Sequence, residues 1–264
     1  MTSTTLALHE LHDGGGVPLV LLHGFPFDHR MWTPLANHLP PGIRALAVDL
    51  PGAGQSPLGG MPPSLEAAAA AVHRTLVAAG VANGILVGMS MGGYVALALA
   101  ELHPGFVDGL AMVDTKSTAD SEEARTRRLK TADEVEANQT VDAVMGMPAS
   151  LLGATSLQRR RLLVTTLEAW VRGQSPAGVA WAQRAMADRP DRTHVLRQLD
   201  GPVSIVVGAE DLVTPLADAE HMAGAARDAA LTVVPGAGHA SPVEDPTAVA
   251  AALSLLHRRV VRHH

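Results

Sequence analysis

The sequence predicts an α/β architecture: a mostly parallel, doubly wound sheet interrupted by an all-helical insertion. Three observations carry this. Short Val/Ile/Leu/Ala runs bounded by Gly or Pro alternate with helical patterns. The runs are continuously apolar, as in strands buried on both faces. The alternation then stops between about residues 116 and 199, where no strand candidate occurs. Strands and helices in alternation build parallel sheets through right-handed crossovers.

In chain order, residues 6–11 read as an edge strand, turned by Gly14-Gly15-Gly16 into the first core run at 19–22. A strand at 45–48, a helix at 64–79, a strand at 85–87, a helix at 91–102 and a strand at 110–113 follow. In the strand-free stretch, Asp120 with Glu123 three residues on has the pattern of a capping box opening a charged helix through Glu136. Ser175-Pro176 reads as an N-cap followed by Pro at the first helical position. Leu163, Leu167, Trp170 and Val171 recur at helical spacing, as do Trp181, Ala182, Ala185 and Met186. Strands resume at 203–207 and 231–234, with helices at 216–226 and 246–259. The expected organisation is a core of residues 1–115 and 199–264, with 116–198 as a helical cap.

Composition narrows the function. At about 150 residues per domain, 264 residues suit one large domain with an insertion. Hydrophobic residues at 47% against 17% charged supply a sizeable core and disfavour disorder. A net charge of −6 with only 3% aromatics disfavours a nucleic-acid partner, which needs basic patches and stacking rings. The absence of Cys removes disulfides, zinc–thiolate and iron–sulfur sites, and a thiol nucleophile. Met1–Leu6 show no basic region of a signal peptide. The uncharged stretch 75–100 is broken by Gly80, Gly84 and Gly88, so no membrane span is expected. The expectation is a soluble, cytoplasmic protein; nothing in the sequence speaks to oligomeric state.

Chemistry must then come from Ser, His, carboxylates or backbone. Gly88-Met89-Ser90-Met91-Gly92 is a G-x-S-x-G motif. The strand at 85–87 leads in and a helix leads out, the context a nucleophile elbow requires. Flanking glycines relieve the clash of a strained Ser backbone whose hydroxyl projects above the sheet. The alternative is a Gly-rich turn whose Ser merely caps a helix. A nucleophilic Ser needs a neutral imidazole as base. Of 13 His residues, His239 has the right setting, on the loop Pro235-Gly236-Ala237-Gly238 after the last strand. His73, His103, His221 and His257 fall in helical segments and read as solvated or structural. His9 and His12 lack H-E-x-x-H spacing, so no zinc site is expected from them.

The base needs a carboxylate to fix its tautomer. Asp211, past the strand 203–207, is the first candidate; Asp114, at the end of 110–113, and the neighbouring Glu210 are the alternatives. Developing charge on a substrate carbonyl needs N–H donors. Met91, after the nucleophile, and Phe25, in His23-Gly24-Phe25-Pro26, are the expected pair, with His23 structural. Asp28, His29 and Trp32 either reach the site entrance or pack at the surface.

Together His23-Gly24-Phe25, the run Asp49-Leu50-Pro51-Gly52-Ala53-Gly54-Gln55-Ser56, the Ser90 elbow, Asp211 and Gly238-His239 stand in the order of the α/β-hydrolase superfamily. The chain resembles its capped group of small serine esterases, enol-lactonases and cofactor-free perhydrolases. Met89 departs from the His common before the nucleophile. The resemblance implies acyl transfer on a small-molecule ester or lactone by Ser90, His239 and Asp211, without cofactor or metal. It also implies a lid whose Trp170, Trp181, Met186, Leu163 and Leu167 line the acyl pocket, or else form the cap's own core. A perhydrolase or C–C bond hydrolase would use the same residues, and a non-catalytic ligand sensor is the reading from another class.

Overall fold

The computed structural model describes residues 5–263; Met1–Thr4, part of the segment read for a leader, and His264 lie outside the described residues. Seven strands form one sheet: β1 (Leu8–His12), β2 (Gly14–Leu22), β3 (Gly42–Val48), β4 (Gly84–Met89), β5 (Val107–Val113), β6 (Val203–Gly208) and β7 (Ala229–Val234). Their spatial order is β1-β3-β2-β4-β5-β6-β7. β1 runs antiparallel to β3 and every other pair is parallel. This is the expected α/β class, and the six apolar runs read from the sequence all lie in strands.

Two strands differ in detail from the sequence reading. Gly14 and Gly15 do not form a turn; they belong to β2 and pair with Gly42 and Ile43. A Cβ on Gly14 would lie 2.6 Å from the Arg44 nitrogen, so the glycine permits strand contact rather than chain reversal. β7 is apolar but for Thr232, yet it leaves Leu231 and Val233 38% and 41% exposed, because it is the sheet edge and pairs only with β6. The central strands are buried on both faces: Leu19–Leu22, Ile85–Val87 and Leu110–Val113 have no exposed surface.

Between β5 and β6 the chain forms helices Glu122–Asn138, Met147–Leu151, Ala154–Arg159, Arg161–Arg172, Pro176–Ala187 and Thr193–Gln198, with no strand. The first is capped by Ser121, whose hydroxyl accepts from Ala124 N–H, not by Asp120. Asp120 is instead drawn inward by Arg128 and Arg189, at 2.5 and 2.7 Å. Burial works to raise its carboxyl, but those two guanidinium groups outweigh it and hold it at about 2. Ser175 does cap its helix, accepting from Gly178 N–H with Pro176 in the first turn.

The sheet order reverses at β2, which has β3 on one side and β4 on the other. Leu22 is level with Gly88, so the loops leaving β2 and β4 emerge side by side at the carboxyl edge. Open α/β sheets bind ligands at such a crevice. Among the described residues, no helix is long and apolar enough to cross a membrane.

Candidate active site

The chain turns sharply at the end of β4. Ser90 has φ 50° and ψ −115°, and the helix Met91–Leu102 begins at the next residue. A non-Gly residue in this region is strained and is held only where its surroundings over-determine it. Those surroundings are present: Ser90 N–H donates to Val113 O at 3.0 Å, and Thr115 Oγ1 donates to Ser90 O at 2.7 Å. The turn also presses the helix start onto the neighbouring loop, where a Cβ on Gly92 would overlap the Leu22 carbonyl oxygen. The glycine of the motif is there for that approach.

His239 Nε2 lies 2.9 Å from Ser90 Oγ, and its Nδ1 lies 2.8 Å from Asp211 Oδ2. Side chains from the ends of β4, β6 and β7 thus form one hydrogen-bonded chain. Asp211 is fixed independently: Oδ1 accepts from Val213 N–H and Thr214 N–H at 2.8 and 3.0 Å, and Thr214 Oγ1 donates to Oδ2 at 2.8 Å. Burial pushes its carboxyl up, but the hydrogen bond and electrostatic attraction of the His239 ring and the Thr214 donors carry it below the usual carboxylate range. An ionised Asp211 favours the tautomer with N–H at Nδ1, leaving Nε2 free to accept from Ser90.

Asp114 is also buried, with φ 42°, but it faces elsewhere. Its Oδ1 accepts from Gly208 N–H and its Oδ2 from Ser241 N–H, both at 2.9 Å. Burial, with the charge of Asp211 nearby, pushes its carboxyl up to about 7. Glu210 turns away from His239 and accepts from Thr155 N–H and Oγ1.

His23 occupies both ring nitrogens within the fold: Nδ1 lies 3.0 Å from Gly24 O, and Nε2 accepts from Leu50 N–H at 2.9 Å. Burial pushes its pKa down, which suits a neutral ring tying two loops together. Phe25 and Met91 both line a pocket with about 400 Å³ of space between its atoms. Its other walls include Leu65 and Ala68 from the helix Leu65–Ala78, and Val179 and Ala182 from Pro176–Ala187. Of Asp28, His29 and Trp32, Asp28 is buried and pairs with Arg30 at 2.6 Å, Trp32 is fully buried, and His29 joins Asp49.

Of the five residues expected to line the pocket, Trp181 does, with its Nε1 donating to Met61 O at 2.9 Å. The other four lie elsewhere. Leu167 is completely buried inside the insertion, and Leu163 is partly buried in the same hydrophobic cluster. Met186 is buried with its sulfur 3.4 Å from Arg128 Nη1, and Trp170 meets Phe27 edge-on and is not among the pocket's lining residues. Helical spacing marks a buried face but not which neighbour buries it.

Sequence reasoning missed three contributors. Gln174 lines the pocket and joins the insertion to the core, its Nε2 donating to Asp28 at 2.7 Å and its Oε1 accepting from Gly54 N–H at 3.1 Å. Glu244 is buried and gathers the loop around His239: Oε1 accepts from Gly238 N–H and Ala240 N–H, at 2.8 and 3.1 Å, and Oε2 accepts from Gly153 N–H at 2.9 Å. Leu151 is the third, its carbonyl accepting from His239 N–H at 2.7 Å. No spacing signal marks these contacts, which span up to 146 residues.

A hydroxyl, an imidazole and a carboxylate in line at the carboxyl edge of this sheet define a class, that of the α/β hydrolases. Residues 19–252 match the model of the Alpha/beta hydrolase family, and the chain belongs to that family. It is 31% identical over 239 residues to the pimeloyl-[acyl-carrier protein] methyl ester esterase of Aromatoleum aromaticum, covering 86% of this chain and 93% of that one. A thermophilic esterase from Thermogutta terrifontis superimposes with a TM-score of 0.92 at 31% identity, covering 98% of this chain and 97% of the other. The enol-lactonase of Burkholderia xenovorans shares the fold, with a TM-score of 0.83 at 22% identity over 96% of this chain and 97% of that one.

Proposed function

We propose that the protein is a serine hydrolase that cleaves a carboxylic ester, cyclic esters (lactones) included. The observation that carries this reading is the Ser90–His239–Asp211 chain, with contacts of 2.9 and 2.8 Å, beside an apolar pocket. In this reading His239 Nε2 takes the Ser90 proton as Oγ adds to the substrate carbonyl. The N–H groups of Phe25 and Met91 receive the developing oxyanion, aided by the positive end of the helix Met91–Leu102. The tetrahedral adduct collapses as His239 returns the proton to the leaving alcohol. Water, deprotonated by the same imidazole, then releases the acid and restores Ser90. Residues 116–198 serve as a cap: Val179, Trp181 and Ala182 close the pocket over Leu65 and Ala68, on the side where the acyl group lies. The esterase relatives support the reaction class.

The test is a series of p-nitrophenyl esters of rising acyl length with wild type and Ala182→Phe. A phenyl ring at this pocket wall should lower kcat/KM for the hexanoate about tenfold or more relative to the acetate, since each displaced methylene carries 1–3 kcal/mol, about 10-fold to 200-fold. Equal loss on all chain lengths would place the acyl group elsewhere, and absence of turnover with every ester would remove the esterase reading.

Glu244 acts on the reaction through the loop it gathers, as a positioning residue. Glu244→Gln puts an amide donor opposite at least one of the N–H groups of Gly153, Gly238 and Ala240. A buried donor left unsatisfied costs about 1–3 kcal/mol, a fall in Tm of roughly 5 °C for a chain of this size. The expected kinetic signature is a fall of about tenfold or more in kcat with KM little changed, because proton transfer rather than binding loses alignment. Thermal melts and steady-state kinetics check the two parts together.

A further inference from the structure

Charge is unevenly placed along this chain. Residues 116–198 hold 13 Lys and Arg against 10 Asp and Glu, a net +3, whereas the remainder holds 7 against 16, a net −9. Within the positive segment, Arg159, Arg160 and Arg161 stand in a row at the corner between the helices Ala154–Arg159 and Arg161–Arg172. All three line one surface groove, with about 930 Å³ of space, together with Leu162 and Leu163. Leu162 is 83% exposed. We propose that this corner is a docking surface that seats the protein on a bilayer of anionic phospholipid.

The three guanidinium groups keep their charge uncompensated. Among the described residues none of them forms an ion pair. Arg160 Nη1 donates to the carbonyls of Val243 and Glu244, which carry no charge. Glu210 feels the charge of Arg159, yet its two oxygens are taken by Thr155 N–H and Oγ1. Guanidinium groups favour phosphate oxygens, which they grip in a planar two-pronged contact. The leucines ask for something else, since an apolar side chain gains by leaving water. Phosphate lying directly over hydrocarbon meets both demands, and a bilayer surface has that layering. A free anion offers no hydrocarbon, and the carboxylates of an acidic protein lie over none.

The apolar surface also continues beyond the groove. Thr155, on the first of these helices, holds Glu210 in the loop after β6, at 2.8 Å from its N–H. That loop runs on into Leu212, Val213 and Leu216, which are 91%, 49% and 40% exposed. Exposed leucines scattered singly are ordinary. Here they gather in two segments that touch, beside the arginines. The negative remainder of the chain is repelled by the same lipid surface, which turns the insertion toward it. Docking of this kind needs no spanning helix, and among the described residues none could span. It is also independent of the reaction at Ser90.

Co-sedimentation with vesicles tests the surface. At low salt the wild type should bind vesicles of equal parts phosphatidylglycerol and phosphatidylcholine at least about tenfold more tightly than pure phosphatidylcholine. In about 1 M salt, where the screening length falls to about 3 Å, the difference should vanish. Arg159→Gln combined with Arg161→Gln should weaken binding to the mixed vesicles about 30-fold, at about fivefold per arginine. Leu162→Ser should weaken it about tenfold and keep its salt dependence. These positions are exposed, so the variants should fold. Hydrogen exchange of the wild type should slow across residues 157–166 when mixed vesicles are added, a readout that needs no variant. Equal binding to both vesicles, binding to neither, unchanged binding in the double variant, or protection confined to another face would each overturn the surface. Retention on immobilised polyglutamate without vesicle binding would give the face to an acidic protein instead, and uptake of inorganic phosphate alone would give it to a free anion.

Discussion

Ser90→Ala should reduce kcat/KM for a p-nitrophenyl ester by about 10^5-fold or more, the scale on which removal of the nucleophile from a Ser-His-Asp system acts. The fold should survive the change. The Ser90 hydroxyl contacts His239, whereas the strained turn is held by backbone bonds and by Thr115, which remain. Substrate binding should change little, because the pocket is apolar and is built largely from other residues. Relief of strain at φ 50° does not follow either, since Ala is as ill suited to that region as Ser. Retention of wild-type rates with an intact far-ultraviolet spectrum would remove Ser90 from the reaction. Labelling by a fluorophosphonate should be lost in the same variant.

The second large effect separates two aspartates. Asp211→Asn should lower kcat by about 10^4-fold, because an amide no longer stabilises the Nδ1–H tautomer or the imidazolium. Asp114→Asn should stay within about tenfold of wild type, since Asp114 is bonded to Gly208 and Ser241 N–H rather than to His239. The two also differ in how stability follows pH. Asp114 is raised from 3.8 to about 7 on folding, so between those values the folded protein binds more protons than the unfolded one. Stability therefore falls as pH rises through that window, and Asp114→Asn, neutral at any pH, should flatten the fall. Asp211 works in the other direction: its lowered pKa adds stability that acid removes. Urea melts across the window, paired with kinetics, would distinguish the two. A 10^4-fold loss in Asp114→Asn instead would exchange their roles.

Much of this arrangement was legible in the sequence, for identifiable reasons. Strands at 85–87 and 110–113 are continuous apolar runs because both faces are covered, whereas a strand with one face in water would alternate with polar residues. Ser90, Asp211 and His239 each lie in the segment that leaves a strand's carboxyl end, so a parallel sheet necessarily brings their loops to one edge. That placement let the residues be nominated together, and they lie within hydrogen-bond distance. The lining of the pocket was not legible. Leu167 and Met186 carry the same periodic signal as Ala182, but Leu167 is wholly buried and the Met186 sulfur meets Arg128 rather than the pocket. Only the inclination of one helix on another decides which apolar side chain meets empty space. Asp120 against Ser121 shows a related limit: both residues suit an N-cap, and the choice was made by Arg128 and Arg189, the latter far along the chain. Gln174, through Asp28 and Gly54, and Glu244, through Gly153, also reach across long stretches of chain, and such contacts leave no trace in composition or spacing.

The loop that carries His239 is tied to one part of the insertion and the pocket is walled by another. Leu151, Gly153 and Thr155 hold the loop, through His239, Glu244 and Glu210. Val179, Trp181 and Ala182 shape the cavity. Anchorage and selectivity are thus written on separate stretches of the same segment. On the proposed esterase reading, substitutions along the second stretch would retune which acyl groups are accepted and leave the alignment of Ser90, His239 and Asp211 untouched.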